Sequence, residues 1–318
     1  MFGISYPWLK PTWEKLTQAL EQDTLPSALL VSASQGMGAH EVIDSLAATL
    51  LCTNSSNEPC GFCHVCSLVE AGTHPDLHQV SPLEGKSSIS VDQIRDCNRY
   101  ALESSQLNGL RIIVISPAER MTEAAMNALL KTLEQPPEQC VFILSSFEPH
   151  RLLPTIKSRC QHWHIEAPML DELSSWLDKQ GEGNMPELYK VLCAGAPLQL
   201  LEFGKKNDAF EQSLAALEQF LQANFAHPND FTSVVLKGDA ISLLSAISIS
   251  LLELQKSYFA PTQSVESHQT LHSLKSKLDY QQAFDMAQRL NQLVEQLTTH
   301  TGLNQELLIS QWLIESKC

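Results

Sequence analysis

The length, hydrophobic content and charge of the chain exclude several classes of protein. Its 318 residues, of which 43% are hydrophobic, can bury a substantial core and form two or three domains. The net charge of -15 argues against binding nucleic acid through a basic surface of the chain itself. No apolar stretch reaches about 18 residues, and no basic segment with an apolar continuation opens the chain, so we expect a soluble, cytoplasmic protein.

Short apolar runs alternate with helical patterns in the first half of the chain. The runs at 28–31, 111–115 and 140–144 predict strands, and the periodicity at 39–51 and 122–134 predicts helices. Continuous β-branched runs are typical of strands buried on both faces of a parallel sheet. We therefore expect an α/β domain over residues 1–167.

A degenerate phosphate-binding loop connects the first of these strands to the first helix. Its frame runs from Ala33 through Gly36 to Gly38, but Ala39 and His40 follow where the pattern G-x-x-x-x-G-K-[ST] requires Lys and Ser or Thr. The Lys ammonium must reach the β- and γ-phosphates and the hydroxyl must hold Mg²⁺. Taken alone, a glycine-rich turn without a nucleotide role is the simpler interpretation.

A second part of the ATP machinery is also missing. After the strand at 111–115, where a P-loop ATPase would carry Asp-Glu to hold Mg²⁺ and orient water, the chain has Ser116-Pro117. Two independent losses of this kind predict that the chain binds no ATP.

Four cysteines with the spacing C-x7-C-x2-C-x2-C follow the first helix: Cys52, Cys60, Cys63 and Cys66. Four thiolates at tetrahedral reach predict a closed, structural zinc site. An iron-sulfur cluster and free or buried thiols are the alternatives. The bacterial ferredoxin run places its fourth Cys three residues after the third and follows it with Pro, whereas Ser67 follows Cys66 here.

The remaining cysteines outside residues 151–160 are isolated and are expected to be structural: Cys97, Cys140, Cys193 and Cys318. Beyond the α/β domain, residues 168–207 predict a small helical domain with glycine breaks at Gly181, Gly183, Gly195 and Gly204. From 208 to 318 apolar residues recur every three or four positions, which predicts an all-α bundle.

Several motifs resemble those of a known family. These are Tyr6-Pro-Trp-Leu9, Ala71-Gly-Thr-His-Pro-Asp76, Asn127-Ala-Leu-Leu-Lys-Thr-Leu-Glu-Gln-Pro-Pro137 and Arg151-Leu-Leu-Pro-Thr-Ile-Lys-Ser-Arg-Cys160. Together they resemble the clamp-loader branch of the AAA+ superfamily, and within it the delta-prime family of bacterial DNA polymerase III. The resemblance covers residues 4–200, and the C-terminal bundle matches in length and helical character only.

The resemblance implies an AAA+ P-loop domain, a small helical lid and a C-terminal helical collar. It places the family's Ser-Arg-Cys motif on Ser158, Arg159 and Cys160, with Arg159 as an arginine finger for the ATP site of a neighbouring subunit. The family's zinc module falls on the four cysteines already named. Its first sensor falls near Ser146, and its second falls on Leu198, where ATP-using relatives carry Arg.

The function implied is that of a clamp-loader subunit without intrinsic catalysis, within a complex that carries the DNA polymerase activity. Its partners would be gamma/tau-type and delta-type subunits, and through them the sliding clamp and primed DNA, with no membrane involved. One alternative is an active AAA+ ATPase, which would need a Lys or Arg near Gly38 and an acidic pair after Ile115. The other is a stand-alone zinc-dependent DNA-binding module, which the acidic balance opposes.

Overall fold

The computed structural model describes residues 2–54, 57–107, 109–205, 207–223, 228–300 and 302–316. Cys318, which was predicted to be structural, lies outside the described residues. The chain folds as two compact units, Met1–Pro168 and Met169–Cys318.

The first unit contains a five-stranded parallel sheet. Its strands are β1 (Ala28–Ala33), β2 (Leu77–Val80), β3 (Arg111–Ile115), β4 (Cys140–Ser146) and β5 (Gln161–Ile165). They lie in the order β2-β3-β4-β1-β5, and every neighbouring pair is parallel. The three predicted strands are confirmed as β1, β3 and β4, which form the centre of the sheet. The two outer strands were not predicted.

Six α-helices accompany the sheet: α1 (Lys10–Glu21), α2 (Ala39–Leu51), α3 (His64–Glu70), α4 (Val91–Leu102), α5 (Glu123–Glu134) and α6 (Pro154–Lys157). The predicted helix at 39–51 is confirmed as α2. The predicted helix at 122–134 begins one residue later, because the Thr122 hydroxyl caps α5 by accepting a hydrogen bond from the N–H of Ala125 at 3.2 Å.

One part of the core of the first unit lies on the face of the sheet beneath α4, α5 and α6. Leu30, Ile113 and Phe142 are fully buried there. Ile94 of α4 and Leu129 of α5 pack in the same cluster. Each fully buried side chain of this size contributes about 1.5–3 kcal/mol. This packing fixes the central strands, so the loops at their carboxyl ends share one well-defined edge.

The second unit is entirely helical where it is described. Its helices are α7 (Leu170–Gln180), α8 (Glu187–Leu192), α9 (Pro197–Lys205), α10 (Asp208–Gln222), α11 (Pro228–Val235), α12 (Ala240–Ser257), α13 (Gln263–Glu266), α14 (Gln269–Lys275), α15 (Tyr280–Thr299) and α16 (Gln305–Glu315). The prediction that Gly204 interrupts a helix was wrong, because this residue lies inside α9. A Cβ at Gly204 would come within 2.6 Å of the end of the Met185 side chain, which would have to move.

Side-chain contacts explain why residues before and after 207 form one unit. The Tyr189 hydroxyl on α8 donates to the Glu211 carboxylate on α10 at 2.6 Å. His268 Nε2 lies 3.0 Å from the same carboxylate oxygen. Tyr189 also packs edge-on against Phe203, with ring centroids 5.0 Å apart. The division of this unit into a lid at 168–207 and a collar at 208–318 stays a prediction.

Within the described part of the chain, no single helix is long and apolar enough to span a membrane. Taken together, α11 and α12 are long and apolar enough, but the chain bends by 117° between them.

Candidate functional site

The predicted phosphate loop is a glycine-rich turn between β1 and α2. Gly36 and Gly38 have φ angles of 83° and 74°, in the left-handed region that glycine adopts without strain. Met37 between them is buried, and its carbonyl accepts a hydrogen bond of 2.9 Å from the indole N–H of Trp8. The segment containing Trp8 therefore fixes the loop from the N-terminal side.

The charges around the first turn of α2 are unfavourable for a phosphate. Glu41 lies in this turn, and its carboxylate accepts a hydrogen bond of 2.9 Å from the N–H of Ser5. A phosphate would need the same positive helix N-terminus that Glu41 already complements. Burial raises the pKa of Asp44, one turn further on, and nearby His40 partly offsets that rise. This helix start thus has the shape of a phosphate site without its charge.

The edge beyond β3 and β4 contains a carboxylate that sequence reasoning missed. Glu119 is buried, and its Oε1 accepts a hydrogen bond of 3.1 Å from the N–H of Phe147. It therefore connects the turn after β3 to the residue that follows β4. Glu119 Oε2 and the buried Oγ of Ser146, the predicted first sensor, have no hydrogen-bond partner among the described residues. Glu119 gave no sequence signal, because Glu119-Arg120 has the composition of an exposed turn.

The four cysteines predicted to hold a metal come together after α2. Their Sγ atoms all lie within 4.8 Å of one another, and those of Cys60 and Cys66 are 3.9 Å apart. A tetrahedral zinc with four Zn–S bonds of about 2.3 Å requires sulfur separations of about 3.8 Å. Among the residues that the structure describes, this is the one group of three or more potential ligands. The donor set therefore fits zinc.

Local backbone structure sets the positions of these thiols. Cys52 ends α2, and Cys63 caps the N-terminus of α3 by accepting a hydrogen bond of 3.4 Å from the N–H of Cys66. Desolvation acts to raise the pKa of Cys63, but hydrogen bonds from Cys66 and the other thiols outweigh it and lower the pKa to about 6. Burial raises the pKa of Cys66 to about 12. A bound cation would supply the charge that ionises the remaining thiols.

The isolated cysteines that the structure describes are buried, and their structural role stays a prediction. Cys97, Cys140 and Cys193 are buried. Cys97 and Cys140 belong to the core beneath α4 and α5. Burial raises the pKa of Cys97 to about 12 and that of Cys140 to about 11, which makes both thiols unreactive.

Arg159, the predicted finger, lies just beyond α6. Its Nη1 donates a 2.8 Å hydrogen bond to the carbonyl of Thr155, and its Nη2 donates to the carboxylate of Glu134. About a third of the side chain is exposed, at 30%. Ser158 donates to the same Thr155 carbonyl at 3.1 Å, and the Cys160 side chain packs in the core. Of the three motif residues, Arg159 alone carries a charge, and it lies just before the amino end of β5.

The motif at 71–76 has a structural explanation. Asp76 is buried and accepts hydrogen bonds from the N–H groups of Gln106 and Leu107 at 2.8 and 3.0 Å, and from the Ser105 hydroxyl at 3.1 Å. The N–H of Asp76 donates to His74 Nδ1 at 3.1 Å. This motif therefore fixes the segment that leads into β3.

Fold and site together define an α/β domain with a parallel five-stranded sheet and a glycine-rich turn between β1 and α2, in which Ala39 and His40 follow Gly38. A family model described as "DNA polymerase III, delta subunit" matches residues 8–169, and one described as "DNA polymerase III, delta subunit, C terminal" matches residues 198–317. DNA polymerase III subunit delta' of Escherichia coli is 31% identical over 97% of this chain and 94% of that protein. The chain belongs to the delta-prime family of DNA polymerase III subunits.

Similar proteins include another DNA polymerase III subunit delta' and a solved structure. The Haemophilus influenzae DNA polymerase III subunit delta' is 37% identical over 68% of this chain and 66% of that protein. Among solved structures, a DNA polymerase III gamma subunit-related protein of Thermotoga maritima is similar over 96% of this chain and 98% of that one. Its sequence identity is 19% and its TM-score is 0.45.

Proposed function

We propose that this chain is a non-hydrolysing subunit of the DNA polymerase III clamp loader. It completes a pentameric ring, supplies Arg159 to the ATP site of a neighbouring subunit, and helps to load the sliding clamp onto primed DNA. The observation that carries the proposal is the glycine-rich turn between β1 and α2, in which Ala39 and His40 stand where the phosphate-loop pattern requires Lys and Ser or Thr.

Arg159 would act on charge that develops in the neighbouring site. In phosphoryl transfer a guanidinium supplied from outside stabilises negative charge on the transferred group and contributes about 10³ to 10⁵ in rate. The neighbour would supply the nucleotide, Mg²⁺ and the attacking water. The exposed part of Arg159 and its place just after a short helix support this role.

The other parts of the chain would serve assembly. Residues 208–318 would form the collar that packs against gamma/tau-type and delta-type subunits, and residues 168–207 the lid. Because the net charge is -15, partner subunits would make most contacts with DNA. Zinc held by the four cysteines would brace the segment between α2 and α3. The complex would work in the cytoplasm.

Neither alternative function gains support from a specific observation. An active ATPase would need a cation after Gly38 and acidic residues after β3, and the nearest carboxylate, Glu119, is buried against Phe147. A stand-alone DNA-binding zinc module would need basic residues around its ligands, and the stretch between Cys60 and Cys66 has neither Lys nor Arg.

Assembly tests the proposal directly. We expect the full chain, mixed with gamma/tau-type and delta-type subunits, to elute from gel filtration in a stoichiometric complex. That complex should load the clamp onto primed DNA, whereas a mixture without this chain should not. A chain that remains alone under these conditions, or that binds DNA tightly without partners, would show that the proposal is wrong.

The isolated chain should bind no Mg-ATP. Only backbone N–H groups and a helix N-terminus remain to contact phosphates, and Glu41 lies in the same turn. Calorimetric titration should therefore show no saturable heat up to millimolar nucleotide, with the heat of ATP dilution as the control. Micromolar affinity would contradict the inference that the site has lost its function.

A further inference from the structure

The ion pair between Arg159 and Glu134 points to a second residue in the action of the finger. We propose that Glu134 is a positioning residue that holds Arg159 in a withdrawn position until a phosphate of the neighbouring subunit replaces its carboxylate. This inference rests on the proposed function, in which Arg159 acts in trans. It assigns Glu134 no contact with the reacting atoms.

The hydrogen bonds of Arg159 leave few donors for a phosphate. A guanidinium has five N–H groups, and its grip on phosphate requires two parallel donors at once. Nη1 donates to the Thr155 carbonyl at 2.8 Å and lies 3.4 Å from the Ser158 hydroxyl. Nη2 donates to Glu134, and Nε is buried without a hydrogen-bond partner among the described residues. Release of Glu134 would free the N–H of Nη2 that now donates to it. The parallel second donor would come from Nη1, whose contact with the Ser158 hydroxyl is long at 3.4 Å.

Glu134 is held weakly enough to be replaced. It is the last residue of α5, and a negative charge at a helix C-terminus is unfavourable. Its side chain is 50% exposed, and an ion pair with one partner so exposed contributes little to stability. The buried, unpaired Nε of Arg159 makes the withdrawn arrangement less favourable still. A phosphate offers more charge and more acceptor oxygens than one carboxylate, so it can compete successfully.

The test is Glu134→Gln in an assembled loader in which only the ATP site facing Arg159 is competent. Gln keeps the shape of the side chain and removes the competing charge. We expect ATP hydrolysis without DNA or clamp to rise about two- to fivefold, the range expected from loss of an exposed ion pair. The KM for ATP should fall, and the stimulation by clamp and DNA should shrink.

Glu148→Gln is the matched control. Glu148 pairs with Arg151 at 2.8 Å, and their side chains are 47% and 48% exposed, so the substitution removes the same charge from a similar pair nearby in the chain. This variant should behave as wild type. The double variant Glu134→Gln/Arg159→Ala should match Arg159→Ala alone, because Glu134 acts through Arg159.

The outcomes separate this inference from the proposed function. Reduced or unchanged turnover in Glu134→Gln, with Arg159→Ala strongly impaired, would overturn the role of Glu134 and leave the finger in place. Wild-type turnover in Arg159→Ala would remove both. A rise in Glu134→Gln that persists when Arg159 is also replaced would show that Glu134 acts by another route, and would overturn the inference as well.

Discussion

Replacing Arg159 with alanine is expected to lower ATP hydrolysis at the neighbouring site by about three orders of magnitude or more. The guanidinium would no longer stabilise the charge that forms on the transferred phosphate. Because this chain would serve one of several ATP sites in the proposed ring, the steady-state rate of the whole complex should fall less than the rate at that site. Clamp loading should fall as well.

The fold should survive this substitution. Arg159 lies outside the core, and its partner Glu134 is half-exposed, so no buried charge is left unpaired. The measurement is clamp- and DNA-stimulated phosphate release by wild-type and variant complexes at equal assembly, checked by gel filtration. Arg151→Ala is the matched control, because it removes a guanidinium from the exposed pair with Glu148. Its phosphate release should equal that of the wild type.

A conservative replacement sharpens the interpretation. Arg159→Lys should restore little of the ATP hydrolysis that Arg159→Ala loses, because an ammonium lacks the planar fork that donates to two phosphate oxygens. Full rescue by Lys would indicate that only a positive charge is needed at this edge. Wild-type hydrolysis and loading in Arg159→Ala would show that this residue is a surface charge, and would remove the one catalytic role assigned to the chain.

The central strands could be predicted because their side chains are buried on both faces. The strands β3 and β4 contain continuous apolar runs, which no exposed segment would carry. By contrast, β5 is an edge strand whose residues Gln161, His162 and His164 are exposed, so it has no such run. The strands β1 and β4 also extend beyond their apolar runs, because Ser32 and Ser146 pair with each other across the sheet.

The candidate site was predictable where it depends on local spacing. The phosphate loop and the four cysteines each lie within about twenty residues, so the sequence alone indicates their chemistry. Contacts between residues far apart in the chain could not be predicted in this way. Trp8 bonds to Met37, Glu119 to Phe147 and Glu134 to Arg159 only after the sheet has brought their loops together. No pattern along the chain could have indicated these three pairs.

Removing one thiolate is expected to abolish stoichiometric zinc binding. Structural zinc sites contribute about 10–16 kcal/mol of apparent binding free energy in zinc-finger peptides, and that energy depends on complete coordination. Wild-type protein should carry about one zinc, and Cys63→Ser should carry much less. Cys63 also caps α3 by accepting a hydrogen bond from the N–H of Cys66, and a serine hydroxyl can accept the same bond, so the change removes a metal ligand and keeps the helix cap.

The loss should be confined to the metal module, because the core beneath α4 and α5 contains none of the four ligands. Metal analysis after gentle purification measures the zinc, and limited proteolysis should show faster cleavage within residues 52–66 while the sheet resists. Cys193→Ala removes a buried thiol from the helical unit and should keep full zinc content. Stoichiometric iron in the wild type would show that the four cysteines hold an iron-sulfur cluster. Full zinc content in Cys63→Ser would show that another group serves as the fourth zinc ligand.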